Sequence, residues 1–186
     1  MTITVNRTVV FNLWPNDEQR VALEETTRLY TMAWRDAVDV AWEMENPTKV
    51  SVHKLVYKDL KEKLGLKSQY LCSSRNRAVE SVKSARELQQ KGKKVSKPTA
   101  GRHIPVRLDA RTLSFDKTRE TASIATQHGR IKVPLVWHSQ AQRYRDWFCQ
   151  AGEFALNRKG RWVLRLVFTK NEEVNYRKIW CCDWCG

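Results

Sequence analysis

Three cysteines in the last six residues, "CCDWCG", have the types and spacing best suited to chemistry. Cys182 and Cys185 form a Cys-x-x-Cys-Gly unit, the spacing that turns around zinc in ribbon folds. A structural zinc site takes four ligands, and the sequence has no second unit of this kind. The pair therefore predicts an incomplete zinc knuckle: zinc is possible there, but no cofactor is expected.

Residue types that perform catalysis are scattered along the rest of the chain. The isolated thiols Cys72 and Cys149 form neither a disulfide framework nor a metal-ligand spacing with the histidines, which are His53, His103, His128 and His138. Asp183 lacks the fellow carboxylates that metal-assisted phosphodiester hydrolysis requires. The sequence therefore predicts no catalytic residue, and its odd cysteine count favours a reducing, cytoplasmic location.

Charge is the other chemical feature of the chain. The formal net charge is +14, from 34 basic and 20 acidic residues, which favours a polyanionic partner. This excess lies outside residues 17 to 45, where eight acids outnumber three arginines. Nucleic acid is favoured over a membrane, because no segment approaches the run of about 18 apolar residues that spans a bilayer. The N-terminus also lacks the features of a secretory signal. We therefore expect RNA and DNA as partners and no membrane.

The densest group of cations lies in a stretch that contains glycine and proline and has no helical period. Its seven basic residues, against the single acid Asp109, are Lys91, Lys93, Lys94, Lys97, Arg102, Arg107 and Arg111. We expect this stretch to contact phosphates, an interaction that weakens steeply with salt because counterions are released. A solvated surface loop is the alternative interpretation of such a run.

Three smaller groups extend the predicted nucleic-acid surface. Arg75 and Arg86 share one face of a predicted helix that could follow a phosphate backbone, and a merely solvated face is an equal alternative. Arg130 and Lys132 lie on the basic face of a predicted strand. The segment "HSQAQRYRDWF" combines cations with rings suited to stacking on unpaired bases, although most of the tryptophans are expected in the core. Its candidates are Arg143, Tyr144, Arg145 and Trp147.

The elements that position these groups begin with a strand, "TITVNRTVVFNLW", which Pro15 ends. Three amphipathic helices follow, over about residues 17 to 45, 51 to 64 and 68 to 90. Asn16 and Gln19 predict a capping box at the start of the first helix, and Gly65 ends the second. The three helices predict a helical subdomain.

Beyond the basic stretch the sequence alternates as strands do. The runs "RTLSFD", "TASIAT" and "GRIKVPLVW" precede a hairpin, "GEFALNRKGRWVLRLVF", that turns at "NRKG". "QHG" predicts a turn between the second and third runs, and Pro134 predicts an edge strand. If the N-terminal strand pairs with this distant sheet, the helices become an insertion after the first strand.

The predicted fold class is therefore α+β, a small antiparallel β-barrel with an inserted helical subdomain. Four parts are expected along the chain. The barrel takes residues 1 to 15 and 100 to 171, and the helical subdomain takes residues 16 to 90. Residues 91 to 99 form a basic linker, and residues 172 to 186 form a tail.

Several short stretches together resemble a known family. They are the opening strand with "LWPNDEQ", the helix with Tyr30, Trp34 and Ala37, the pair Ser114-Phe115, "GRIKVPL" and "GRWVLRLVFTKN". In this order they resemble the N-terminal half of the TnpB (OrfB) proteins, transposon-encoded RNA-guided nucleases related to type V CRISPR effectors. The resemblance covers roughly residues 5 to 171 as many short matches.

The resemblance implies a wedge-like barrel and a helical recognition lobe that grip a guide RNA and hold its heteroduplex with target DNA. In the family a RuvC-like nuclease half follows, with its first aspartate soon after the position of Asn171. Here only fifteen residues follow Asn171. We therefore expect a nucleic-acid-binding part without nuclease activity, whose nuclease half is missing or supplied by a separate chain.

Two alternatives remain open at this point. One is a free-standing structural or regulatory RNA- or DNA-binding module that uses no guide. The other is a metal-dependent enzyme or zinc-organised oligomer centred on the terminal cysteines, which have too few ligands for a complete site.

Overall fold

The fold is that of a computed structural model, which describes residues 2 to 173 apart from the side chain of Gln150. Cys182, Cys185 and Asp183 lie outside these residues, so the predicted zinc knuckle does too. The described elements, in chain order, are β1 (Thr2–Asn12), α1 (Asp17–Glu43), α2 (Lys49–Leu64), α3 (Ser68–Gln90), β2 (Val106–Leu108), β3 (Leu113–Asp116), β4 (Thr121–Thr126), β5 (Gly129–Pro134), α4 (Ser139–Gln142), β6 (Phe148–Leu156) and β7 (Trp162–Glu173). The predicted α+β class is confirmed.

The strands form two antiparallel sheets. One has the order β1-β7-β6-β2, and the other has the order β3-β4-β5. The predicted pairing of the N-terminal strand with the distant C-terminal sheet is present, because β1 pairs along its whole length with β7, from Thr2 opposite Glu173 to Asn12 opposite Val163. The three long helices lie in the chain between β1 and β2, the two edge strands of this sheet.

Within the described residues the two sheets are not closed into a barrel. Closure requires an unbroken ladder of backbone hydrogen bonds around the ring. Here one isolated bridge, between Leu13 and Leu135, joins β1 to the segment after β5. This bridge lies just after the end of β1, and the two sheets also approach each other where Gly152 of β6 lies near Leu113 of β3.

The helices begin and end where local chemistry places them. The Asn16 side chain accepts the Gln19 backbone N–H at 2.8 Å, and the Gln19 side chain accepts the Asn16 N–H at 3.1 Å. This confirms the predicted capping box. Helix α2 begins at Lys49, two residues earlier than expected, because Thr48 caps it, and it ends at Gly65, whose φ of +59° suits glycine.

Both predicted hairpin turns are present. Gln127 and His128 join β4 to β5, and residues 157 to 160 join β6 to β7. In the second turn the Asn157 side chain accepts the backbone N–H groups of Lys159 and Arg161, each at 2.9 Å. Strand β5, which ends at Pro134, is an edge strand as predicted. The short strand β2 and the short helix α4 lie in stretches whose sequence showed no clear hydrophobic period.

One apolar core extends through the helices and both sheets. On β7 the alternation predicted from the sequence is confirmed, with Trp162, Leu164, Leu166 and Phe168 all buried. Buried hydroxyls of α1 connect the layers, because the Thr26 Oγ1 accepts the Gln127 N–H at 2.9 Å. No helix among residues 2 to 173 combines the length and apolarity needed to cross a bilayer.

Candidate nucleic-acid interface

The basic stretch that follows α3 runs back along the acidic helix α1. Lys97 forms an ion pair with Asp39 at 2.9 Å, and Arg35 donates to the Gly101 carbonyl at 2.7 Å. Further along, the Ile104 N–H donates to the Thr31 hydroxyl at 3.1 Å. The carboxylate of Asp39 raises the pKa of Lys97 by hydrogen bonding and charge. Asp39, Arg35 and Thr31 of α1 therefore hold the basic stretch along this helix.

Several sequence-predicted cations are engaged by the protein itself. The Arg86 guanidinium donates to the carbonyls of Glu45 and Trp42, the latter at 2.8 Å, and it lies 5.9 Å from the centre of the Trp42 ring. Helix α1 has no basic residue in its last turn. Arg86 thus supplies, from α3, the donors that helix C-terminal carbonyls need.

Arg107 is engaged at the junction of helices and sheet. Its guanidinium lies 2.6 Å from the Glu80 carboxylate, which Lys49 also approaches at 3.3 Å. Burial acts to raise the pKa of Glu80, but the hydrogen bonds and charges of Arg107 and Lys49 outweigh it and hold that pKa below its ordinary value. This trio links α2, α3 and β2.

Arg130 and Arg145 are also bound within the fold. Arg130 donates to the Arg111 carbonyl at 2.7 Å, and Arg145 donates to the Lys117 carbonyl at 3.0 Å. Arg145 also lies 5.5 Å from the centre of the Trp137 ring, which is buried. Both arginines hold loops in place.

A polar groove of about 240 Å³ between α3 and β2 brings together groups far apart in sequence. Asn76 and Arg107 line it, and the Asn76 side-chain oxygen accepts from Arg75 at 2.7 Å. Gln69, which also lines the groove, donates to Asp109. Amides and guanidinium groups are the side chains that hydrogen-bond to base edges.

The rings of the predicted stacking segment are largely used inside the protein. Tyr144 stacks on buried Phe168, with 6.4 Å between ring centres, and it meets Trp147 edge-on at 5.1 Å. The ammonium of Lys170 lies 5.8 Å from the Trp147 ring. Both rings are half-buried at the margin of the core.

The remaining sequence-predicted cations are exposed, and their side chains form no hydrogen bond or ion pair with any other residue of the described range. They are Lys91, Lys93, Lys94, Arg102, Arg111, Lys132 and Arg143. The predicted set therefore divides into cations that hold the fold together and cations that are free to meet a partner.

A cleft of about 500 Å³ at the end of β1 was not predicted from the sequence. Trp14, Arg20, Glu24, Arg161 and Trp162 are among the residues that line it. The signal was an aromatic residue directly before the proline that ends β1, together with the cations of the "NRKGR" turn. That turn had been considered only as a hairpin connection.

The side chains that could perform other chemistry are not grouped. Among residues 2 to 173 no three histidines, cysteines or acids come together in a way that could hold a metal ion. Burial raises the pKa of the Cys149 thiol to about 11 and lowers the pKa of His103. Cys72 and Cys149 are both free thiols.

No protein-family model matches this sequence, and no curated protein is significantly similar to it.

Proposed function

We propose that this protein binds nucleic acid, and RNA in particular, through charge and shape, and that it does not cleave what it binds. The observation that carries the proposal is the set of exposed, unengaged cations that remains once the structural ion pairs are accounted for. Ion pairs remove equal numbers of cations and acids, so the excess of 14 positive charges stays unpaired however the chain folds. Such a surface attracts polyanions.

The arrangement of these cations favours an extended partner. Lys93 and Lys94 follow the end of α3, whereas Lys132 lies on β5 and Arg143 follows α4. A small anion would require converging donors, but these side chains are spread over helices, loop and sheet. A nucleic-acid backbone presents phosphates at regular intervals, so it can meet cations at several separate places.

We further propose that the chain is the nucleic-acid-binding part of a TnpB-like protein, which holds guide-type RNA and target DNA. In this proposal the two sheets correspond to the wedge-like barrel and α1 to α3 to the inserted recognition lobe. Support comes from the element order, from the β1–β7 pairing and from the polar groove between α3 and β2. The nuclease half would then be absent or supplied by a separate chain.

A guide-free structural or regulatory RNA- or DNA-binding protein is the second candidate. The same exposed cations would serve it without a guide. The two candidates differ in the RNA they retain, since a TnpB-like protein is expected to hold RNA transcribed beside its own gene. Sequencing the RNA that copurifies with the protein distinguishes them.

Binding itself is tested with a fluorescent RNA and a titration of salt. We expect the logarithm of the binding constant to fall linearly with the logarithm of the salt concentration, because each neutralised phosphate releases counterions. The double variant Lys93→Glu with Lys94→Glu should bind more weakly and with a shallower slope. Lys54→Glu with Lys58→Glu is the matched control, because it makes the same charge change on an exposed face of α2.

Three results would contradict parts of this proposal. Affinity that does not change with salt would exclude phosphate contacts as its basis. An equal loss in both double variants would show that Lys93 and Lys94 contribute no more than other exposed lysines, so that no binding surface is centred on them. Cleavage of RNA or DNA by protein purified to homogeneity would overturn the proposed lack of nuclease activity.

A further inference from the structure

The cleft lies between the end of β1, the start of α1 and the turn that joins β6 to β7, and backbone and side-chain hydrogen bonds hold the surrounding elements together. The Leu13 N–H donates to the Trp162 carbonyl at 2.9 Å, and the Trp14 N–H donates to the Pro134 carbonyl at 3.1 Å. Gln19, in the first turn of α1, donates to the Lys132 carbonyl at 2.9 Å. The cleft is therefore preformed, and its volume of about 500 Å³ lies in the range of small-ligand sites.

Trp14 lies in this cleft with 65% of its surface exposed. The alternation of β1 explains this exposure, because Leu13 faces the core and is 5% exposed, so that its neighbour faces outward. The backbone on either side is held by the bond to Pro134 and by Pro15. An indole held on a fixed backbone and left open to solvent is the side chain that stacks on an unpaired base.

Two arginines, Arg20 and Arg161, line the cleft together with Trp14. Arg161 lines the cleft and forms no side-chain bond to another described residue, while Arg20 reaches only the exposed Asp17, at 3.7 Å. The turn beside the cleft adds Arg158 and Lys159, both exposed. Glu24 is the one acid among the lining residues. Aromatic face and free guanidinium groups are thus combined in one preformed site.

Trp162 forms part of the cleft wall, and its indole N–H donor is unpaired within the described residues. The residue is 4% exposed, and its indole Nε1 has no hydrogen-bond acceptor among the described residues. A buried indole N–H is normally paired. The buried indoles of Trp34 and Trp137 also lack an acceptor among the described residues, so the unpaired Nε1 of Trp162 does not by itself indicate a ligand.

We propose that this cleft binds one unpaired nucleotide of a single-stranded nucleic acid, with the base stacked on Trp14 and the phosphate held by Arg20 and Arg161. This inference rests on the proposed function and adds to it the strandedness of the ligand. A duplex does not fit the same role, because its bases are already stacked and paired.

The test compares binding of a labelled uridine homopolymer with binding of a labelled RNA duplex of equal length. Trp14→Ala should weaken binding of the single strand about fivefold or more and leave binding of the duplex unchanged. Trp14→Phe should retain most of the single-strand affinity, because it keeps an aromatic face. Arg161→Gln should weaken binding of the single strand and make its salt dependence shallower.

Val50→Ala is the matched control, because Val50 is also 65% exposed but lies on α2, away from the cleft. Val50→Ala should change neither the affinity for the single strand nor the affinity for the duplex. Because Trp14 is exposed, its removal is not expected to unfold the protein, and thermal unfolding of each variant checks this. Uridine monophosphate, added as a competitor, distinguishes a strand from a free nucleotide.

The outcomes separate this inference from the proposed function. If the wild type binds neither RNA, the proposed function fails. If the wild type binds both but Trp14→Ala binds the single strand as well as before, the cleft is not the site and the proposed function stands. Equal weakening of duplex and single strand would also overturn the inference, as would displacement by the monophosphate at concentrations similar to those of the strand.

Discussion

Glu153 on β6 lies within ion-pair distance of Arg77 on α3, with 3.4 Å between the carboxylate and the guanidinium. The same carboxylate lies 2.9 Å from Arg165 on β7. Arg77 also donates to the Pro105 carbonyl, at 2.6 Å, immediately before β2. One acid on the outer side of the sheet thereby connects the helices to three neighbouring strands.

Replacing this acid should lower the stability of the whole protein. Glu153→Ala would leave two arginines, whose side chains are 21% and 37% exposed, without their carboxylate. We expect the free energy of unfolding to fall by about 1 to 3 kcal/mol in denaturant titrations. Glu172→Ala, which removes an exposed acid 3.8 Å from Lys170, should change it by less than about 0.5 kcal/mol. If both variants lowered the free energy of unfolding equally, Glu153 would have no special role in stability.

Gly152 allows the two sheets to approach each other. A Cβ at this position would lie 2.8 Å from the Arg165 carbonyl oxygen and 3.2 Å from the Leu113 side chain of β3. Gly152→Ala should therefore destabilise the protein by about 1 to 3 kcal/mol, because backbone and core must shift. Gly101→Ala is the control, since a Cβ there meets nothing within 4 Å. A stable Gly152→Ala protein would mean that the sheets can separate at little cost.

Arg86 should prove to stabilise the fold. Arg86→Gln removes the charged donors that hold the Trp42 and Glu45 carbonyls at the end of α1. The free energy of unfolding should fall by about 1 to 2 kcal/mol. Lys83→Gln, an exposed change on the same helix, should leave stability unaffected. A loss of RNA affinity without loss of stability would instead assign Arg86 to the binding surface.

Two buried tyrosines predict a loss of stability in alkali. Burial raises the pKa of both Tyr30 and Tyr70 above their ordinary value of 10.0. Tyr30 shares a hydrogen bond with Ser73 at 3.0 Å, and Tyr70 donates to the Ala125 carbonyl. Above about pH 10 the unfolded chain releases these protons first, so stability that is fully present below pH 10 is lost as pH rises.

Denaturant titrations between about pH 8 and pH 11 measure this effect. The variant Tyr30→Phe with Tyr70→Phe should be less stable at neutral pH, because the Ala125 carbonyl loses its donor, and less sensitive to alkali. Tyr57→Phe is the control, because the Tyr57 hydroxyl donates to Ser68 at the surface. If the double variant lost stability in alkali as steeply as the wild type, other groups would be responsible.

The parts of the fold that were predictable from sequence depend on neighbours along the chain. Asn16 and Gln19 are three residues apart, so the capping box that starts α1 could be recognised from the residues alone. The same holds for Gly65 after α2 and for the turns at residues 127 to 128 and 157 to 160. The α+β class followed from these local elements, whereas the pairing of the first strand with the distant sheet could be stated from the sequence only as a condition.

The meeting of the two sheets could not be predicted in this way. Whether strands close into a barrel depends on backbone partners far apart in sequence, and here Leu13 and Leu135 supply one bridge in place of a ladder. The three residues of β2 are held by pairing with β6, not by any period of their own. An edge strand of this kind has no local signal to find.

The sequence by itself determined the charge excess and the types of the longer elements, because composition and local hydrogen bonding are properties of the chain. Only the tertiary structure decided what each cation does. Arg86 and Lys93 lie close together in sequence, yet Arg86 donates to a carbonyl at the end of α1 and Lys93 remains exposed. It likewise placed Trp14 beside Arg161, across 147 positions, because the partner of a side chain is set by which surfaces the core brings together.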